Sequence, residues 1–138
     1  MWAKRESVLV KNGGSRTGKI LALDLDHTVV KPLSGRTFPR NPRDWTFWHE
    51  TVPECLRNAH QSGWTVCIVS NQSRIGKGRV SEDEFRGKID AISNALGVPL
   101  NAYVATQGDL YRKPNTGMWK MLIAVSYTHL TLPTSFLV

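Results

Sequence analysis

The alternation of short apolar runs with helical segments constrains the fold of this chain more than any other feature of its sequence. Three runs rich in apolar and β-branched residues predict buried strands, and other segments have the 3.6-residue spacing of amphipathic helices. The predicted strands are residues 19–24, 64–70 and 102–106, and the predicted helices are residues 53–62, 81–96 and 115–124. Because strands separated by helices of this size form parallel βαβ units, the predicted fold class is α/β, a parallel sheet with helices on both faces.

The helix predicted at residues 81–96 has the clearest boundaries. Ser81 and Glu84 have the spacing of a capping box, which satisfies free N–H groups at the start of a helix. Gly97 ends the helix in the usual way, and Pro99 follows it. Apolar residues recur at helical spacing and mark one buried face, namely Phe85, Ile89, Ile92 and Leu96.

The length of 138 residues suffices for one domain with a single core. No apolar stretch is long enough for a membrane-spanning helix, and no apolar segment follows the charged N-terminus as it would in a signal peptide. We therefore expect an intracellular protein without membrane association. Cys55 and Cys67 are too few for a disulfide framework, and both are expected to be buried free thiols.

The charge balance is basic, with 18 Lys and Arg against 11 Asp and Glu and a formal net charge of +7. Such an excess favours a polyanionic partner. A solvated basic surface without a specific partner would have the same composition, so charge alone leaves both interpretations open.

Two long connections interrupt the regular alternation, at residues 28–52 and 70–81. The first is rich in Pro, Arg and Trp, and the second is rich in Gly and basic residues. Both follow the carboxyl ends of predicted strands, where open α/β sheets bind their ligands. Because loops this long in a compact domain tend to be functional, we expect them to surround the substrate.

Polar side chains follow each of the three predicted strands. Asp24 and Asp26 follow the first strand, Ser70 ends the second, and Lys113 comes after the third. A carboxylate can attack phosphorus, a second acid can protonate the leaving oxygen, and a hydroxyl and a cation can neutralise the phosphoryl group. Each feature alone has an ordinary explanation: an acidic turn, a loop serine and a surface lysine. Their order after strands of one sheet indicates phosphoryl transfer.

This ordered set resembles the haloacid-dehalogenase superfamily, whose first three motifs match residues 24–28, Ser70 and Lys113. The resemblance implies a Rossmann-like three-layer sandwich. It further implies that Asp24 is the nucleophile, that Asp26 is the general acid and base, and that Ser70 and Lys113 hold the phosphoryl group. The implied cofactor is Mg²⁺, contacted by the Asp24 carboxylate and the Asp26 main-chain carbonyl.

The loops are similar to those of the phosphatase domain of polynucleotide kinase 3′-phosphatases, over residues 2–124. The matching motifs are residues 34–39 with 44–45, 70–72 with 75–78, and 111–114 with 117–119. The similarity implies hydrolysis of the 3′-phosphate at DNA strand breaks through an aspartyl-phosphate intermediate, in DNA repair and in the nucleus. DNA with 3′-phosphate ends would be the partner. The implied substrate-binding residues are Thr28, Phe38, Asn71, Lys77 and Arg112, with Phe38 stacking on a terminal base and Lys77 and Arg112 contacting backbone phosphates.

Three features depart from the family pattern. His27 stands where the superfamily usually has Gly. Arg74 stands where relatives have a small residue, and it either adds a phosphate contact or points outward. The acidic fourth motif that completes the metal site is missing after Lys113, so Mg²⁺ binding is expected to be weak.

The C-terminal residues 125–134 resemble a translated sequencing adapter. We therefore expect a C-terminally incomplete phosphatase domain at residues 1–124, an artefactual or unstructured tail at residues 125–138, and little turnover by this polypeptide.

Two alternatives stay open. A small-molecule phosphatase of the same superfamily would act on a sugar or histidinol-type phosphate, but it would not need the basic, aromatic loop at residues 31–48. A catalytically inactive fragment that binds DNA ends would be consistent with the missing acidic motif. No P-loop motif is present in these residues, so no kinase domain is expected within them.

Overall fold

The computed structural model describes residues 2–13, 19–109, 113 and 118, and the backbone of residues 134–137. In chain order its elements are β1 (Trp2–Arg5), β2 (Val8–Lys11), β3 (Ile20–Leu23), β4 (Val30–Lys31), β5 (Thr46–Phe47), α1 (Val52–Gln61), β6 (Thr65–Asn71), α2 (Ser73–Gly76), α3 (Glu82–Leu96), β7 (Leu100–Ala105) and β8 (Thr134–Leu137). Five predicted elements correspond to β3, α1, β6, α3 and β7. The helix predicted at residues 115–124 lies outside the described residues, apart from Met118, which is helical and buried.

Six strands form one sheet in the order β1-β2-β7-β6-β3-β8. Strands β7, β6, β3 and β8 run parallel to one another, whereas β2 is antiparallel to β7, and β1 is antiparallel to β2. The α/β class is confirmed, but the sheet is mixed rather than entirely parallel. The N-terminal hairpin escapes sequence prediction because its turn has Glu6 at φ 55° and lacks the Asn-Gly or Asp-Gly pair that marks tight hairpins.

Side-chain alternation along the strands divides the core into two layers. On one face, alternate residues of β2, β3, β6 and β7 pack with Leu56 of α1 and with the apolar side of α3. On the other face, the intervening residues of the same strands pack with Met118. Because successive side chains of a strand point to opposite faces, apolar runs such as β6 are buried on both sides. The three-layer arrangement of the prediction is therefore confirmed.

Helix α3 begins and ends at the predicted signals. The Ser81 hydroxyl accepts a hydrogen bond from the Glu84 N–H at 3.4 Å, and Gly97 closes the helix with φ 70°. Arg57 of α1 donates from Nε to the Leu96 carbonyl at 2.7 Å. This bond satisfies a free carbonyl at the end of α3 and fixes the two helices on the same face of the sheet.

Strand β8 pairs in parallel with β3, from Ile20 opposite Thr134 to Leu23 opposite Leu137. At these four residues the structure differs from the expected unstructured tail, because the open edge of β3 offers a row of N–H and C=O groups to an extended segment. Residues 125–133 and 138 lie outside the described residues. The artefactual origin of the tail stays a prediction.

Both cysteines are free, as expected, but only Cys67 is buried, whereas Cys55 is exposed. The expectation of two buried thiols is wrong for Cys55 because Leu56 is the residue that α1 turns toward the core. In the described part of the chain, no helix has the length and apolarity needed to cross a membrane.

Candidate active site

Chemically active side chains meet at the carboxyl-terminal edge of the parallel strands. Asp24 directly follows β3, and Ser70 lies at the end of the neighbouring strand β6. Strand β7 lies on the other side of β6, and the chain after it brings Lys113 back to the same edge. The structure thus brings together the strand-end residues that the sequence pattern selects.

An ion pair between Lys113 and Asp24 organises this edge. The Nζ atom lies 3.2 Å from Asp24 Oδ1 and donates a hydrogen bond to the Val69 carbonyl at 2.9 Å. The lysine side chain is 13% exposed and the aspartate side chain 30%, so the pair is partly shielded from water. Asp24 Oδ1 also accepts a hydrogen bond from the Leu25 N–H at 2.9 Å. These contacts fix the orientation of the carboxylate with a cation beside it.

Asn71 fixes the main chain of Lys113. Its Nδ2 donates to the Lys113 carbonyl at 3.1 Å, and its Oδ1 accepts from the Lys113 N–H at 2.9 Å. Both ends of the amide are therefore engaged by the backbone of one residue. These contacts fit a positioning role for Asn71, which also lines the cavity described below. The substrate-binding role that the resemblance implies for it stays a prediction.

Gln72 links the second acid to the strand-end serine. Its Nε2 donates to Asp26 Oδ2 at 2.8 Å and to Ser70 Oγ at 2.8 Å. Ser70 is fully buried, whereas Asp26 is half-buried, so the amide spans from the core to the surface of the site. Gln72 belongs to the matched motif at residues 70–72, but it was not among the predicted site residues. The available signal was a long amide two residues after a strand-end serine.

A tight turn follows the two aspartates. The Leu25 carbonyl accepts hydrogen bonds from the N–H groups of Val29 and Val30 at 3.0 and 3.1 Å. His27 adopts φ 61°, a left-handed conformation that costs an L-residue roughly 1–2 kcal/mol. Its ring packs edge-on against Trp48 with a centroid distance of 5.3 Å. The turn therefore accepts His27 where the superfamily has Gly.

Asp44 anchors the long loop between β4 and β5. Its Oδ2 accepts hydrogen bonds from the Ser34 hydroxyl at 2.6 Å and the Arg40 N–H at 2.8 Å, and its Oδ1 accepts from the Ser34 N–H at 2.8 Å. These bonds, that of the Ser34 hydroxyl above all, lower the pKa of Asp44 from 3.8 to about 2. A buried carboxylate thus holds both ends of the loop tip.

A cavity of about 420 Å³ opens between this loop and the residues after β6. Small-ligand sites commonly measure about 300–1,000 Å³. Asp26, Asn71 and Gln72 line the cavity, whereas Asp24, Ser70 and Lys113 do not, so it adjoins the Asp24–Lys113 pair without including it. Its lining combines one aspartate of the site with an aromatic ring and several cations, among them Asp26, Phe38, Arg40, Arg74, Arg79 and Lys88.

Phe38 is 53% exposed and lines this cavity, and its stacking on a terminal base stays a prediction. The Arg74 guanidinium lies over its ring, with Cζ 4.1 Å from the ring centroid. This is the geometry of a cation–π contact. Of the two alternatives for Arg74, the structure therefore favours the one that turns it toward the site.

The other predicted substrate-binding residues are placed differently. Lys77 is exposed at the end of α2 and does not line the cavity. Thr28 lies half-buried in the turn, where its N–H donates to the Leu25 carbonyl at 3.4 Å, and it too is outside the lining. Arg112 lies outside the described residues. The roles of these three residues stay predictions.

Lys88 lines the cavity but was not selected by the sequence pattern. It lies on the apolar side of α3, three residues after Phe85 and four before Ile92, and it is 8% exposed. Lysine is almost never this buried unless its charge has a partner. The signal that could have identified it is a lysine at a core position of an amphipathic helix.

Oxygen atoms at the site fit a divalent cation such as Mg²⁺. Asp24 Oδ1 is engaged by Lys113 and Leu25, whereas Oδ2 has no hydrogen bond from any residue the structure describes. The Asp26 main-chain carbonyl is a second oxygen, two residues along. Mg²⁺ is often held by one or two carboxylates and completes its shell with water and substrate phosphate. No cluster of three or more His, Cys, Asp or Glu side chains with metal-binding geometry occurs among the described residues.

Comparisons with known proteins identify the family. Residues 19–137 match the family described as Polynucleotide kinase 3 phosphatase. The chain is 36% identical over 124 residues to the bifunctional polynucleotide phosphatase/kinase of Schizosaccharomyces pombe, covering 88% of this chain and 30% of that protein. It is 34% identical over 144 residues to an uncharacterized 20.8 kDa protein of Autographa californica nuclear polyhedrosis virus, covering 100% of this chain and 76% of the viral protein. The chain therefore spans less than a third of the yeast protein's length.

Solved structures agree on the fold. A protein of Mesorhizobium loti described as a had-like phosphatase has a TM-score of 0.76 at 20% identity, covering 93% of this chain and 68% of that one. The D,D-heptose 1,7-bisphosphate phosphatase of B. bronchiseptica, solved with magnesium and phosphate, has a TM-score of 0.66 at 22% identity, covering 78% of this chain and 63% of that one. The chain shares its fold with these phosphatases, and by its family match it belongs to the polynucleotide kinase 3 phosphatase family.

Proposed function

We propose that this chain removes the 3′-phosphate from DNA ends through an aspartyl-phosphate intermediate on Asp24. The observation that supports this most strongly is the Asp24–Lys113 ion pair at 3.2 Å, beside Asp26, in a chain of this family. A carboxylate held next to a fixed ammonium suits attack on a phosphate, because the cation offsets the charge that the phosphate brings.

In the proposed first step, an Asp24 carboxylate oxygen attacks the phosphorus of the 3′-phosphate, and the bond from phosphorus to the 3′ oxygen breaks. Protonated Asp26 donates its proton to the leaving oxygen, which becomes the 3′-hydroxyl of the DNA end. The Lys113 ammonium and the Ser70 hydroxyl stabilise the negative charge of the phosphoryl group during transfer.

In the proposed second step, water attacks the phosphorus of the aspartyl-phosphate while Asp26 accepts a proton from that water. Inorganic phosphate leaves, and the Asp24 carboxylate is regenerated. Gln72 donates to Asp26 Oδ2 at 2.8 Å, which orients the acid and leaves Oδ1 for the proton transfers.

The Asp24 carboxylate and the Asp26 main-chain carbonyl would hold Mg²⁺, which lowers the repulsion between an anionic nucleophile and an anionic substrate. Since the described residues supply one carboxylate to the ion, we propose that Mg²⁺ binds weakly until substrate phosphate adds further oxygen ligands.

The cavity beside Asp26 supports a polynucleotide as the leaving group. Asp26, the proposed proton donor to the leaving oxygen, lines this cavity, so the leaving group would extend into it. Its lining offers the Phe38 ring for stacking, together with Arg40, Arg74 and Arg79, in a chain of net charge +7. A sugar phosphate would leave most of these cations unused. A substrate of this kind implies a role in DNA repair, and hence a nuclear location.

The test is phosphate release under single-turnover conditions, with protein in excess and Mg²⁺ present. The substrates are a 3′-phosphorylated oligonucleotide, the same oligonucleotide phosphorylated at its 5′ end, and a sugar phosphate. The variant is Asp24→Asn, and the control is Asp83→Asn, whose carboxylate is 94% exposed. We expect release from the 3′-phosphate alone, lost in Asp24→Asn and kept in Asp83→Asn. Release from the sugar phosphate alone would replace this proposal with a small-molecule phosphatase.

A further inference from the structure

Lys88 is a buried cation for which the proposed chemistry has no use. Its side chain lies on the core side of α3, yet it lines the cavity beside Asp26. Removing an ammonium from water is costly unless its charge and its N–H donors find partners. The buried Lys88 ammonium is therefore stable only if the chain itself or a ligand supplies an opposite charge and hydrogen-bond acceptors.

The chain offers Lys88 only incomplete compensation. Among the residues that the structure describes, none forms a hydrogen bond or ion pair with the Lys88 ammonium. Desolvation lowers the pKa of Lys88, and the carboxylates of Asp26 and Asp44 oppose that shift from a distance. Both carboxylates already accept hydrogen bonds, from Gln72 to Asp26 and from Ser34 to Asp44. The ammonium donors of Lys88 thus remain available to something in the cavity.

The position of the cavity identifies which part of a substrate would meet Lys88. The transferred phosphoryl group belongs beside Asp24 and Lys113, which do not line the cavity. Asp26, the proposed proton donor to the leaving oxygen, does line it. The leaving group therefore fills the cavity, with a base near Phe38. In a polynucleotide, the next anion after the terminal phosphate is the internucleotide phosphodiester.

We propose that Lys88 binds the internucleotide phosphodiester that precedes the 3′-terminal nucleotide. The proposal rests on the proposed function and deepens it, because it assigns a residue that distinguishes a polynucleotide from any single phosphate ester. A phosphodiester oxygen supplies both the charge and the hydrogen-bond acceptors that the buried ammonium lacks.

Two ligands that differ by this one group provide the test. The dinucleotide dithymidine 3′-phosphate contains one internucleotide phosphodiester and a terminal phosphate, whereas thymidine 3′-monophosphate contains the terminal phosphate alone. Their affinities are measured by calorimetry with Mg²⁺, in the Asp24→Asn background so that neither ligand is hydrolysed. In that background, Lys88→Met, which keeps the length of the apolar stem, is compared with the protein that retains Lys88. Lys4→Met is the control, because Lys4 is exposed and pairs with Glu82.

We expect Lys88→Met to lower the affinity for the dinucleotide about tenfold or more, as for loss of a hydrogen bond to a charged group. The affinity for the mononucleotide should fall by less than about twofold. The slope of log affinity against log salt for the dinucleotide should fall by about 0.7, the value for one phosphate contact on a single strand. Lys4→Met should change neither quantity. A merely structural role for Lys88 would not alter that slope.

If Lys88→Met lowered the affinity for both ligands equally, or left both affinities unchanged, the Lys88 proposal would be overturned and the proposed function would stay in place. If the Asp24→Asn protein with no change at Lys88 bound neither ligand, the proposed function would fail, and the Lys88 proposal would fail with it. Thermal unfolding shows whether Lys88→Met folds. Lys88→Gln, which keeps a polar end without the charge, serves as the second variant and should give the same loss for the dinucleotide.

Discussion

Replacing Asn71 by Ala removes the two hydrogen bonds, of 3.1 and 2.9 Å, that hold the main chain of Lys113. Each such bond contributes about 0.5–1.5 kcal/mol, so the substitution should cost roughly 1–3 kcal/mol. Because Lys113 reaches Asp24 from this fixed main chain, we expect the lost free energy to appear as a higher activation free energy for phosphoryl transfer. With a tenfold change for about every 1.36 kcal/mol, kcat/KM should fall roughly 5- to 150-fold.

The assay is phosphate release from a 3′-phosphorylated oligonucleotide at saturating Mg²⁺. It compares the unsubstituted chain with Asn71→Ala, Lys113→Ala and the double variant. Asn58→Ala is the matched control, because Asn58 is exposed on α1 and does not line the cavity beside Asp26. The control should change the rate by less than about twofold, as is usual for surface substitutions.

The double variant decides whether Asn71 acts through Lys113. If it does, Asn71→Ala should add little to the loss already caused by Lys113→Ala, since residues that act as one unit are not additive. If the two losses multiply instead, Asn71 contacts the substrate independently, and its assignment as a positioning residue is refuted.

Substitutions at three further positions, His27, Gly76 and Asp44, test the segments around the site, and Gly87 on α3 serves as the comparison for Gly76. His27→Gly should change the free energy of unfolding by less than about 1 kcal/mol. Relief of the left-handed backbone (about 1–2 kcal/mol) is offset by loss of the ring contact with Trp48 (about 0.5–1.5 kcal/mol). A change of more than about 2 kcal/mol in urea unfolding would contradict this offset. Gly76→Ala should lower the free energy of unfolding in urea by about 1–3 kcal/mol, because the added Cβ would meet a main-chain carbonyl just after β7. Gly87→Ala, in open space on α3, should raise it by about 0.5–1 kcal/mol. Equal effects of the two substitutions would refute the close approach at Gly76. The stabilisation from Asp44 should be complete above its unfolded pKa of 3.8 and lost as the pH falls through about 2, because its pKa is lowered in the folded chain. The unfolding midpoints of Asp44→Asn and the unsubstituted chain should therefore converge over that range, and a constant difference would exclude the carboxylate as the anchor.

The strand ends of the site were predictable from sequence because they follow from local pattern. Apolar runs of strand length placed Asp24 and Ser70 at the carboxyl ends of β3 and β6, and parallel pairing of these neighbours then brings the ends together. Helix α3 was equally predictable, since the cap at Ser81 and the stop at Gly97 are local signals.

The contacts of Asn71 and Gln72 were not predictable, because each joins residues that are distant in sequence. Asn71 meets a residue 42 positions away, and Gln72 meets Asp26, 46 positions away. No local pattern fixes such pairs. The N-terminal hairpin was missed for a different reason: Glu6 takes a positive φ that the sequence does not mark with Gly or Asn.

The most direct measurement is transfer of label from an oligonucleotide with a ³²P-labelled 3′-phosphate to the protein, in acid-quenched single-turnover reactions. We expect a transient covalent label that hydroxylamine removes, that maps to Asp24, and that is absent in Asp24→Asn. Release of inorganic phosphate without any labelled protein, or labelling that persists in Asp24→Asn, would contradict the assignment of Asp24 as the nucleophile.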